Sequence, residues 1–122
     1  MRAAIDRDGP DALELTRVLE QIAAGAAARE RDLVPAFPEE PIALLGLVRA
    51  LAWGARPGPT RPPAAAELDL VRQVARADGS VGRIFDGHLN AVERLAVQGP
   101  GELRERELAA VRAGRLRAGV WG

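Results

Sequence analysis

The only histidine of the chain, His88, lies in the stretch "ADGSVGRIFDGHLN", residues 77–90, together with Ser80, Asn90 and three glycines, Gly79, Gly82 and Gly87. An imidazole near a hydroxyl could act as the base of a nucleophile. The spacing argues against it: eight residues of helix separate Ser80 from His88 by roughly 12 Å along the axis, beyond hydrogen-bond reach. The other hydroxyls, Thr16 and Thr60, are distant in sequence. Carboxylates gather at Glu39-Glu40 and at Glu102, Glu105 and Glu107. These positions fall at expected helix starts or among arginines, where capping and solvated i,i+4 pairs are their ordinary use. With no Cys and a single His, there is no thiolate nucleophile or disulfide, and a zinc site would be short of ligands.

Two features of the same stretch leave alternatives open. Gly79-Ser80-Val81-Gly82 reads either as an anion cradle of free amides at a helix start or as a helix junction capped by Asp78 or Ser80. The strand and longer glycine spacing of a nucleotide loop are missing. His88 reads either as a core imidazole satisfied by neighbouring backbone or carboxylate groups, or as the wall of a cofactor or substrate site. Gly82 and Gly87 each cost a helix about 1 kcal/mol relative to Ala. Close approach of another helix, or of a flat ligand, would offset that cost.

The elements that would position these residues are helical. Asp8-Gly9-Pro10-Asp11 offers an N-terminal cap, and Leu15, Val18, Leu19, Ile22 and Ala26 follow at helical spacing, predicting a first helix to about Arg31. Pro38 and two glutamates introduce a second, mostly buried helix with an apolar run from Ile42 to Trp53. Residues 54–63, "GARPGPTRPP", hold four prolines and two glycines, so they form a loop. A third helix runs from Pro63 to near Asp78, with Leu68, Val71 and Ala75 on one row and Leu70 and Val74 beside it. A fourth follows, in which Val81, Ile84, Phe85, His88, Val92 and Leu95 form an apolar stripe. Gly99-Pro100 ends it, and a fifth helix closes at Arg112, with Gly114 expected in a left-handed C′ conformation. In "RLRAGVWG" the period becomes two, predicting the start of a β-strand.

Charge and length narrow the setting. Seventeen basic residues, every one Arg, balance seventeen acidic ones over 122 residues. No net field then favours nucleic acid or an anionic membrane, and the all-Arg usage reads as codon bias. Residues 1–15 offer no unbroken apolar signal core and no stretch of eighteen apolar residues occurs, so a soluble cytoplasmic protein of one domain is expected.

The order of helices, followed by "VRQVARADGSVGRIFDGHLNAVERLAVQG", a polar helix and "RAGVWG", resembles the N-terminal helical domain of the acyl-CoA dehydrogenase family, which includes related flavin-dependent monooxygenases. The resemblance spans essentially the whole chain and is most specific over residues 70–99; the Pro-rich loop departs from the family pattern. It implies an all-α bundle of about five helices over residues 1–114. Residues 115–122 would then be the first strand of a flavin-binding β domain lying beyond this chain. It places Arg83, Asp86, Gly87 and Asn90 on the wall of an acyl pocket and His88, Val120 and Trp121 toward FAD. Family members remove the proton α to a thioester and pass the β hydride to the flavin. The catalytic base and most flavin contacts would lie outside residues 1–122. The expected partners are the β and C-terminal helical domains or a complementary chain, an acyl-CoA-type substrate and, in the completed enzyme, further copies of itself. The competing expectations are a free-standing helical interaction module without flavin chemistry, or the corresponding fragment of a flavin-dependent monooxygenase of the same fold.

Overall fold

Asp11 ends an extended entry and begins the first helix, its carboxylate accepting the amides of Leu13 and Glu14 at 3.0 Å. In the computed structural model, which describes residues 9–119, five α-helices and one 3-10 turn account for the elements found. They are α1 (Ala12–Arg31), α2 (Glu39–Leu47), the 3-10 turn Ala50–Ala52, α3 (Ala64–Ala77), α4 (Gly79–Gln98) and α5 (Gly101–Arg112). Among the described residues every regular element is helical, as the helical spacings between Asp11 and Arg112 predict.

The apolar rows meet in two adjoining cores. Leu15, Val18 and Ile22 of α1, Ile42 and Leu45 of α2, Leu70 and Val74 of α3, and Val81, Phe85 and Leu89 of α4 pack together, with Phe85 the largest side chain wholly enclosed. The second half of α4 contributes Val92 and Ala96 to a smaller core with Ala55 and with Leu108 and Val111 of α5. Helix α4 therefore belongs to both, which explains why its apolar stripe runs its full length. On α3 the Leu70/Val74 row is buried, whereas Leu68 of the other row is exposed.

The second predicted helix does not run unbroken from Ile42 to Trp53. It stops at Leu47, Arg49 adopts φ 68°, and the chain re-enters as the 3-10 turn. A left-handed non-glycine residue costs roughly 1–2 kcal/mol. The reversal buries both Ala50 and Leu51, which a continued helix would have separated around its circumference.

Helix α5 ends as its glycine predicts. Gly114 has φ 77°, its amide reaches the carbonyl of Val111 at 3.0 Å, and the Arg115 amide reaches that of Ala110 at 2.9 Å. This is the paired closure of a Schellman motif.

The predicted strand is not found among the described residues: positions 115–119 are extended but form no ladder. Alternating sequence makes a strand only when a second extended segment can pair with it, and every other regular element described is helical. The segment instead lies against the bundle, held by side chains. Val120 and Trp121 lie outside the described residues.

Candidate functional site

Helix α4 carries the candidate residues, and its start is built by Asp78. That carboxylate accepts the amides of Ser80 at 2.9 Å and Val81 at 3.2 Å. It also receives Arg29 of α1, whose Nε lies 2.9 Å from Oδ2. The amides that could have cradled an external anion are thus taken by the protein's own carboxylate, and the Gly79–Gly82 stretch is a capped junction. Ser80 is exposed at the start of the helix while His88 is enclosed, so the two do not meet.

Gly82 and Gly87 have different causes. A Cβ at Gly82 would stand 2.6 Å from the Ala75 Cα and 2.7 Å from its Cβ. Close approach of α3 therefore requires the glycine. A Cβ at Gly87 would meet nothing within 4 Å. Among the described residues, no close packing at that position offsets its cost in helix propensity.

His88 is 2% exposed, and both its nitrogens are engaged by backbone. Nε2 lies 2.7 Å from the Leu51 carbonyl, and the Ala118 amide donates to Nδ1 at 3.1 Å. A carbonyl can only accept and an amide can only donate. The ring must therefore carry its proton on Nε2 and remain neutral. Burial lowers its pKa from the ordinary 6.5, with Arg117 acting in the same direction and the Leu51 carbonyl opposing. The reversed segment after α2 and the extended tail after α5 are thus joined through one imidazole. Arg117 adds to the tail's attachment, pairing with Glu39 at 2.8 Å and lying 5.9 Å from the Phe37 ring centroid. A cavity of about 230 Å³ remains beside His88, lined chiefly by Phe37, Ile42, Ile84 and Phe85.

Arg83, Asp86 and Asn90 occupy the opposite, exposed side of α4, with Gly87 among them. Steps of three and four residues put them on one arc of the helix. The Asn90 Nδ2 donates weakly to Asp86 at 3.4 Å. The structure therefore groups these four residues and separates them from His88. With both nitrogens engaged by backbone, His88 has no nitrogen left for a ligand in the arrangement of the described residues. Among them, no group of three His, Cys, Asp or Glu side chains could hold a metal ion.

A polar contact with no signal in the sequence joins the residue after the 3-10 turn to α3. The Trp53 indole donates to Glu67 at 3.1 Å. Burial, followed by the neighbouring Glu93 charge, raises the Glu67 pKa above 4.5. Fourteen residues and a Pro-rich loop separate the pair, and no periodic signal links them.

Among known proteins, no family model, no curated protein and no solved structure matches this chain. No helix among the described residues is long and apolar enough to cross a membrane.

Proposed function

We propose that the chain is the N-terminal helical domain of an acyl-CoA dehydrogenase-like FAD flavoprotein of the cytoplasm, contributing a pocket wall rather than chemical groups. The observation that carries this reading is Gly87, a mid-helix glycine at which an added Cβ would meet no atom of the described residues within 4 Å, bordered by exposed Arg83, Asp86 and Asn90. A flat or extended ligand, or a covering domain, can reach the α4 backbone only where a Cβ is missing. The tail supports the same reading. Residues 115–119 leave α5 extended and pinned to His88, Glu39 and Phe37, a fitting path toward a β domain.

In this reading, FAD, the base for the α proton and the closing helices belong to segments outside residues 1–122. His88 holds the tail and does not touch the flavin. Arg83, Asp86 and Asn90 shape and polarise the wall, and Gly87 leaves room for the acyl chain.

The test is to express the chain together with the coding sequence that follows residue 122, then record flavin absorbance before and after anaerobic addition of acyl-CoA thioesters. A yellow protein bleached by a thioester is expected, and Gly87→Leu should block bleaching while flavin stays bound. A folded product without flavin, or one that no thioester reduces, would overturn the proposal.

A second reading has its own observation. Leu33, Val34 and Leu47 are 98%, 78% and 77% exposed, and such residues favour association. A free-standing interaction module would elute as a stable, colourless dimer in size-exclusion chromatography.

A further inference from the structure

Arg49, Arg56, Arg61 and Arg112 line one cavity of about 310 Å³, between the 3-10 turn, the Pro-rich loop and the end of α5. None of the described residues lining it is acidic, and Trp53 and Pro62 give it an apolar side. Glu67 stands close enough for its carboxyl to feel the Arg61 charge, so one carboxylate partly offsets the cluster. A volume near 300 Å³ is about the lower end of small-molecule sites.

Two of the guanidiniums are fixed in place. Arg61 donates from Nη1 to the Gly54 carbonyl at 2.9 Å, and Arg112 from Nη1 to the Ala55 carbonyl at 2.6 Å. Each of these bonds uses one of five donors. Arg61 also keeps its Nε buried without a hydrogen-bond partner among the described residues. Arg104 Nε is in the same state outside the cavity, and a nitrogen closed to water meets no cavity ligand, so the ligand contacts fall to the remaining Nη donors of Arg61 and Arg112. Beside them, the Trp53 ring is restrained through its indole N–H by Glu67.

We propose that this cavity binds a small planar organic anion, its ring against Trp53 and its phosphate or carboxylate held by Arg61 and Arg112. Guanidinium forks suit either oxyanion, and an indole face suits a flat ring. The inference stands on this cavity alone and does not rest on the flavoprotein reading.

The test follows the Trp53 indole N–H resonance of the full chain, in a Trp121→Phe background, during titration with four probes. These are inorganic phosphate, adenosine, adenosine monophosphate and benzoate. A ring-bearing anion should bind at least about tenfold more tightly than phosphate or neutral adenosine, because only it engages both sides of the cavity. The monophosphate and benzoate distinguish a phosphate from a carboxylate ligand.

Arg61→Gln and Arg112→Gln should each weaken that binding by about tenfold or more. Arg106→Gln, an exposed position on α5 outside the cavity, should leave it unchanged. Should Arg61→Gln fail to fold, Arg112→Gln carries the comparison. No movement of the indole resonance with either anion would overturn the proposal. So would equal weakening by all three substitutions, which is the result of general screening.

Discussion

His88→Leu removes a side chain that holds two separate backbone groups while keeping most of its volume. The Leu51 carbonyl belongs to a buried residue, and the imidazole is its hydrogen-bond partner. Orphaning it costs about 1–3 kcal/mol. The Ala118 amide lies on a partly exposed residue, so water replaces much of its bond and its loss costs about 0.5–1 kcal/mol. Better transfer of leucine into the core trims the total, leaving a net loss of about 2–3 kcal/mol, against the roughly 5–15 kcal/mol available to a domain. The midpoint of thermal unfolding should fall by on the order of 10 °C.

The pH dependence supplies a second signature of the same residue. The folded pKa of His88 lies below the unfolded one, so the unfolded chain takes up the proton first as acid is added. The stability due to neutral His88 is complete above about pH 6.5 and is lost as the pH falls from there through the folded value. Urea unfolding followed by far-UV circular dichroism, at about pH 7.5 and about pH 5.5, should show the wild-type advantage shrinking in acid. A variant within about 0.5 kcal/mol of wild type at both values would refute the assignment of His88 as the clamp between turn and tail.

The two helix glycines should respond in opposite directions. Gly82→Ala forces a methyl against Ala75 and should lose about 1–2 kcal/mol after its helix-propensity gain is counted. Gly87→Ala meets open space in this chain and should gain up to about 1 kcal/mol; both are read by urea unfolding. Asp78→Ala removes a cap and the partner of Arg29, whose side chain pairs with a carboxylate only 8% exposed, and should cost about 2–3 kcal/mol. Asp78→Asn keeps an acceptor for the Ser80 and Val81 amides and should lose less, and equality of the two variants in thermal melts would show that capping is unimportant. Glu39→Gln weakens a pair whose carboxylate is largely exposed; it should change stability by less than about 1 kcal/mol, an effect diminished by added salt.

The helices were legible because their signals are local. Asp11 and Asp78 cap through amides two and three residues away, and Gly114 closes α5 with bonds inside the same turn. The break at Arg49 was not legible, since the apolar run from Ile42 to Trp53 suits a helix and a 3-10 turn equally. What holds the segment after the break comes from far along the chain: His88, 37 residues beyond Leu51, meets the Leu51 carbonyl. The tail misled for a related reason: a period of two describes which side chains face inward, whereas a strand also needs a neighbour for its amides.

Sequence by itself determined that the chain is a set of amphipathic helices, where most of them begin and end, and that His88 projects from an apolar face. These follow from caps, prolines and periodicity, whose physics acts within a turn or two. Only the tertiary structure decided the roles of the residues between Asp78 and Asn90. Packing of α3 accounts for Gly82, two distant backbone segments account for His88, and at Gly87 an added Cβ would meet no described residue within 4 Å. The gathering of four arginines at one cavity is likewise tertiary, because the loops that bring them together carry no periodic signal.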